Sequence, residues 1–382
     1  MTKEKRTIHI ALPCTGEEEW QACKEPLMTG WLTSGPKVRQ FEGDFAEMHN
    51  VKHACAVTSC TTALHMALEA LGVGPGDEVL VPAFTWVSTA NSVLYCGAKP
   101  VFVDVDPVTF NIDPSDIAHR ITPNTKAIIP VHLFGLCADM DAIRAAAPGL
   151  KIVEDGACAA GASYKGTLAG GLGDLGTFSF HPRKSVTTGE GGMVTTNDAE
   201  LGAKLEILRN HGASISEEMR HHGAKPYLLA DFNVMGFNYR MTDIQGAIGV
   251  VQLKKLNGFI DERAKWAQYY KEQLADVAWL RTPTEPEGYR HGWQSYPCFV
   301  HEDIAPMKRN DIMEILKNEG IATRPGTHAV HMLGFYADKY DIKPEDFPGA
   351  KASNDLSMSI PLHNKMVKED YDYIIEAIKS IK

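Results

Sequence analysis

From about residue 50 to residue 200, short unbroken apolar runs alternate with stretches whose apolar positions recur at helical spacing. The runs are Ala54–Thr58, Glu78–Pro82, Pro100–Asp104, Ala127–Val131, Lys151–Glu154, Thr177–Phe180 and Gly192–Thr196. Helical stretches such as Thr62–Leu71 and Met140–Ala147 lie between several of them. A strand exposed to water on one face alternates polar and apolar residues, whereas a strand covered on both faces does not. The pattern therefore predicts an α/β fold, with one large, mostly parallel sheet of seven strands between two layers of helices. Past residue 240 the period changes. Met241–Leu256 and Arg263–Leu274 read as two helices, Tyr296–Val300 as a strand, Lys308–Glu319 as a helix and Lys368–Ile381 as a closing helix. This predicts a large domain over residues 1–250 and a smaller C-terminal α+β domain over 251–382. The first ~30 residues are candidates to pack back on the smaller domain.

Composition narrows the function classes. The chain has 382 residues, 44% hydrophobic and 23% charged, which excludes disorder, collagen and a coiled coil. Its net charge of −10 argues against a nucleic-acid partner held by a general positive field. No apolar stretch approaches the ~20 residues of a membrane helix, and no apolar segment follows the charged start, so the expectation is a cytoplasmic protein without a membrane partner. Eight scattered cysteines without a C-x-x-C read as small buried hydrophobes rather than a disulfide framework or a zinc ribbon.

Open parallel sheets bind ligands at the carboxyl ends of their strands, so residues just after each run are the first candidates for chemistry. Gly171-Leu172-Gly173-Asp174-Leu175-Gly176 satisfies G-x-G-x-x-G, but it precedes a strand and opens no helix, so it reads as a glycine turn. Ser59-Cys60-Thr61-Thr62 is different: a strand ends, hydroxyl residues follow and a helix starts. Free amides at a helix start can hold a phosphate, although the same residues suit an ordinary N-cap. Asp155 ends a strand and could pair with a positively charged heterocycle nitrogen. Lys184 lies in a loop of hydroxyls and glycines between two strands; alone it would read as a surface lysine, but a desolvated lysine can form a Schiff base. Together, a phosphate cradle, a strand-end aspartate and a later lysine are the three anchors that pyridoxal 5'-phosphate (PLP) needs.

These residues carry a specific resemblance. The chain resembles the sugar aminotransferases of the DegT/DnrJ/EryC1/StrS family, within the aspartate-aminotransferase fold (fold type I). The matching stretches are Thr29–Pro36, Val57–Leu68, Gly72–Pro82 with Phe84-Thr85-Trp86, Val131–Gly135, Glu154–Gly161, Ser179–Gly192 and Gly236-Phe237-Asn238-Tyr239-Arg240-Met241-Thr242-Asp243. The resemblance implies that the large domain binds PLP. In it Lys184 bonds the cofactor and shuttles protons, and Asp155 pairs with the pyridinium nitrogen. Thr61, the backbone at Cys60, and Ser179 hold the phosphate, and Trp86 stacks on the ring. Asn238 matches a residue that reaches across a dimer interface to the partner's phosphate, implying a homodimer with a shared active site. Two positions depart from the family, Cys60 where glycine is usual and Cys158 where glutamine stands near the ring oxygen. Cys158 thereby loses a strong donor. Relatives that dehydrate their sugar carry histidine in place of the lysine, so Lys184 favours transamination.

The implied reaction moves an amino group from glutamate to a keto sugar. A nucleotide-linked sugar is the leading substrate, with a free keto sugar, sugar acid or cyclitol as the alternative, and a non-catalytic PLP-binding regulator behind both. Trp31, Thr33, His328 and His331 match regions where relatives approach the sugar. His328 and His331 are three apart, but no further ligand supports a metal there, so none is expected. His221-His222 fall in a loop over 211–226 that could cover the site.

Overall fold

The computed structural model describes residues 6–213, 227 and 229–382. Seven strands, β1 (His53–Val57), β2 (Glu78–Pro82), β3 (Lys99–Val103), β4 (Thr125–Ile128), β5 (Lys151–Asp155), β6 (Leu175–Ser179) and β7 (Gly192–Thr196), form one sheet. Their order is β1-β7-β6-β5-β4-β2-β3. Only β7 runs against its neighbours. The mostly parallel seven-stranded prediction is met. Successive side chains along a strand point to opposite faces, and here both faces are covered. Val79, Val81 and Val153 enter one apolar cluster, while Leu80 and Ile152 enter another. That two-sided burial is why the runs carry no polar alternation.

Among the helices, α1 (Pro36–His49), α2 (Cys60–Ala70), α3 (Ser88–Tyr95) and α4 (Asp243–Gln273) matter most to the site. The two helices expected over 241–274 are one. Leu256 and Ile260 stay buried on one face, so packing carries the helix through Asn257-Gly258 and outweighs the local propensity of one glycine. A Cβ on Gly246 of α4 would stand 2.6 Å from the Val38 amide, so α1 lies directly against it. The helix contributes Val250, Leu253, Leu256 and Ile260 to the sheet's second cluster, and Ala267 and Tyr270 to a third. The third cluster surrounds a three-stranded antiparallel sheet of β8 (Leu280–Arg281), β9 (Tyr296–Val300) and β10 (Ser357–Ile360). Helices α5 (Arg309–Asn318) and α6 (Lys368–Ser380) pack on it through Ile312, Leu316, Ile374 and Ile378. Ile8 joins this cluster and bridges Ile321. Among the described residues no helix is long and apolar enough to cross a membrane, and all eight cysteines are free, five of them buried.

Candidate active site

The carboxyl ends of β5 and β6, the start of α2 and the loop after β6 converge on a cavity of about 580 Å³. Ser59, Cys60, Thr61, Trp86, Asp155, Cys158, Ser179, Lys184 and His328 all line it. A cavity of about 680 Å³ lies elsewhere, beside Asp104, Asp106, Asp113 and Asp139, and offers no amine.

At the start of α2, Ser59 is an N-cap whose Oγ accepts from the Thr62 amide at 3.2 Å, while the Ser59 amide donates to Thr62 Oγ1 at 3.1 Å. Capping thus engages Thr62 and leaves the Cys60 and Thr61 amides as the first-turn donors without an intrahelical acceptor. Strand β7 runs close beneath: a Cβ on Gly192 would meet the Ser59 carbonyl carbon at 2.5 Å and the Cys60 amide at 2.7 Å. Ser179 also faces the cavity, its Oγ accepting from the His181 amide at 3.4 Å. The Cys60 thiol is buried; desolvation, then the charge of Asp155, push its pKa well above the ordinary value. It is a poor nucleophile.

Asp155 is 4% exposed. Its Oδ2 accepts from Thr89 Oγ1 at 2.8 Å and its Oδ1 from the Ala157 amide at 3.1 Å. Thr89 is itself 3.0 Å from Thr85 Oγ1. Lys184 Nζ donates to Cys158 Sγ at 3.2 Å. The lysine loop is pinned from three sides. Thr187 Oγ1 donates to the Phe180 carbonyl at 2.8 Å, Gln294 Nε2 donates to the Arg183 carbonyl at 2.8 Å, and Gln252 and Arg263 of α4 hold Thr187 and Ser185. Nearby, burial lowers the His181 pKa.

Three arginines that the sequence reading did not single out also line the cavity: Arg183, Arg309 and Arg324. Arg324 stands four residues before His328. Burial and the neighbouring charge of Arg183 lower the Arg324 pKa, and its buried Nε has no hydrogen-bond partner. Thr89 was also missed; it lies in the first turn of α3, four residues past Thr85, and so beside the Phe84-Thr85-Trp86 motif.

Trp86 is no core tryptophan. It is 54% exposed and lies edge-on to His328, with ring centroids 5.5 Å apart. Four expected residues lie off the cavity of this chain. His331 must be corrected: it is fully buried between Phe102 and Phe347, with Nε2 3.3 Å from the Pro344 carbonyl. Its neighbour in the motif, His328, pairs with Thr85 as a short strand and faces the opening instead. Trp31 points its Nε1 at the Ser34 carbonyl, 3.3 Å away, and Thr33 is exposed beside it. Asn238 is exposed in a bridge with Asn210. His221 and His222 lie outside the described residues.

Residues 13–379 match the DegT/DnrJ/EryC1/StrS aminotransferase family. The chain belongs to that family. It is a transaminase, and the family depends on PLP. It is 40% identical over 382 residues to the spore coat polysaccharide biosynthesis protein SpsC of Bacillus subtilis, covering 99% of this chain and 98% of that one. It is also 40% identical over 380 residues to the GDP-perosamine synthase of Caulobacter vibrioides, covering 98% of each. A putative sugar aminotransferase of Streptococcus pneumoniae in its PLP form superposes with a TM-score of 0.91 at 29% identity, over 98% of both chains. As a member of this family the chain is a sugar aminotransferase, of the kind that serves amino-sugar biosynthesis.

Proposed function

We propose that the chain transfers the amino group of L-glutamate to a keto group of a nucleotide-linked deoxy sugar, with PLP held in the cavity described above. The residues fit that cofactor. Amides of Cys60 and Thr61 with the Ser179 hydroxyl suit its phosphate, and the Asp155 carboxylate suits a protonated ring nitrogen. Trp86 suits the ring face, and Cys158 would stand beside the ring oxygen. The Gly192 contact supports the fit, because any side chain there would displace the turn that offers the amides. When bound, PLP supplies an electron sink for a carbon that loses a proton.

The chain's own residues do the rest. Lys184 is the one lysine lining the cavity among the described residues, and its Nζ is the base that removes a proton from the donor's α-carbon and delivers one to the sugar carbon. Asp155 keeps the ring nitrogen protonated, and Thr89 keeps Asp155 in place. The observation that carries the glutamate reading is Arg324: a half-buried guanidinium with an unmatched Nε suits a carboxylate, and Arg183 and Arg309 add charge for a dicarboxylate. The nucleotide reading is supported by the name of the Caulobacter relative. The shared-site reading is supported by Asn238, Trp31 and Thr33, which stay off their own chain's cavity and would serve the partner of a homodimer.

The test is to supply PLP-loaded protein with glutamate and a panel of nucleotide-linked keto sugars while following 2-oxoglutarate. One 2-oxoglutarate per amino sugar is expected. Turnover on free keto sugars or cyclitols but on no nucleotide sugar would replace the substrate reading, and no turnover with glutamate would remove the donor. Asn238→Ala is expected to weaken PLP retention about tenfold, the worth of one hydrogen bond; unchanged retention would refute the cross-interface role.

A further inference from the structure

Helix α2 carries the phosphate turn at one end and a second cluster further along. His65 and Glu69, one turn apart, share a face of α2, and Cys96 caps the end of α3 beside them. One ligand atom from each, the His65 ring nitrogen, a Glu69 carboxylate oxygen and Cys96 Sγ, lies within 4.8 Å of the others. His65 Nε2 is 3.5 Å from Glu69 Oε1. The histidine is 6% exposed, and its Nε2 is buried without a hydrogen-bond partner. Its other nitrogen, Nδ1, is 2.9 Å from the Tyr239 hydroxyl, and the ring lies against Tyr95 and Phe237. A metal-bound histidine is oriented in this way, one nitrogen held by a polar partner and the other aimed at the ion. Cys96 is 7% exposed, with Sγ 3.4 Å from the Ser92 carbonyl. The Glu69 side chain is 26% exposed and opens a path from solvent.

We propose that His65, Glu69 and Cys96 bind a divalent zinc-class cation in a site distinct from the active site. Imidazole, thiolate and carboxylate on one center select zinc over magnesium or calcium, which prefer all-oxygen shells. Metal–ligand bonds of ~2.0 Å to nitrogen and ~2.3 Å to sulfur put ligand atoms about 3.3–3.7 Å apart around a tetrahedron. The His65–Glu69 separation already matches, and Cys96 Sγ lies within 4.8 Å of both ligand atoms. On binding, the Cys96 S–H bond breaks, an S–metal bond forms and the proton leaves to solvent. One thiolate and one carboxylate then cancel the two positive charges, leaving the buried site neutral, with water as the fourth ligand. The site would tie α2 to α3 and, through Tyr239, to the segment carrying Asn238. A second cluster, Glu42, Cys55 and Glu206, has similar residue types but is already matched by Arg209, which pairs with both glutamates. No guanidinium or ammonium pairs with the His65 cluster among the described residues. The spacing hid this site, because Cys96 lies far along the chain from the helix pair.

The experiment strips the PLP-loaded protein with a chelator, then titrates zinc against a competing dye and, separately, adds cobalt. About one zinc per chain, a near-ultraviolet thiolate–cobalt band and a rise in melting temperature are expected. Cys96→Ser should abolish the band, and Glu69→Gln should weaken zinc at least about tenfold. Because Glu69 is partly exposed, that variant keeps its fold even if His65→Gln does not. Zinc below one-tenth equivalent per chain, or unchanged affinity in both Glu69→Gln and Cys96→Ser, would overturn the site.

Discussion

Glu154 and Asp155 are consecutive carboxylates on β5, both buried, yet they face different worlds. Glu154 points into the glycine turn that mimics a dinucleotide motif. Its oxygens accept from the amides of Gly170 at 2.7 Å, Leu172 at 2.7 Å and Gly173 at 2.6 Å, and lie 2.9 Å from His132 Nε2. His132 Nδ1 accepts from the Ala138 amide, so Nε2 carries the proton and donates to Glu154. A Cβ on Gly173 would stand 2.8 Å from the Ile152 carbonyl, which is why the turn can wrap this tightly. Asp155 has two donors, Thr89 and Ala157, and its remaining capacity opens on the cavity. A carboxylate whose acceptors are all used locks structure. One with acceptors left over is available for chemistry.

Breaking the saturated side has the largest expected effect. Glu154→Ala would leave two buried amides, the part-buried Gly173 amide and one imidazole N–H without acceptors, each buried donor costing about 1–3 kcal/mol. Against a typical total stability of about 5–15 kcal/mol, little folded protein should remain, measured as soluble yield and melting temperature. Asp155→Asn should do the reverse. The fold persists with a melting temperature within a few degrees, while turnover falls about 10²–10³-fold, the scale of losing one preorganised electrostatic partner. Normal turnover in Asp155→Asn, or a well-folded Glu154→Ala, would erase the contrast.

The two carboxylates also show what the sequence discloses. Seven strands were legible because burial on both sheet faces imposes unbroken apolar runs, and Lys184, Asp155 and the Ser59–Thr61 turn were legible because each directly follows such a run. The glycine motif was read as a turn, and so it is, but its partner Glu154 was invisible: nothing local says which carboxylate a turn enfolds. His331 was misplaced for the same reason, since a three-residue spacing does not reveal that the chain turns between His328 and His331. Thr89 and Arg324 act through tertiary proximity alone. The continuous α4 was missed because nothing local between Leu256 and Arg263 discloses the packing that joins the two halves.

A smaller effect tests how Asp155 is held. Thr89→Val removes one of its two donors while keeping the shape, so turnover should fall about tenfold for roughly 1–1.5 kcal/mol of lost hydrogen bonding. Because Thr89 acts through Asp155, Thr89→Ser should restore most of the rate. Equal losses in Val and Ser variants would make Thr89 a packing residue only.

A further effect probes the saturated side by pH. His49 donates from Nδ1 to the Ala169 carbonyl at 2.9 Å, at the edge of the turn around Glu154, and stacks on Phe45 with centroids 4.2 Å apart. Its Nε2 is buried without a partner. Burial lowers its pKa to about 4, with the Ala169 bond and the charge of Glu154 opposing the shift. Below about pH 6.5 the unfolded chain therefore takes up a proton that the folded chain refuses. Stability is complete above that pH and falls as the pH drops from about 6.5 toward 4, where the folded form titrates too. Buried His291, lowered to about 3, adds a loss in the same direction. His49→Gln keeps an N–H for Ala169 but cannot titrate, so its melting temperature should fall less steeply than that of the wild type between pH 6.5 and 4.5. Parallel curves would show that the turn around Glu154 is indifferent to His49.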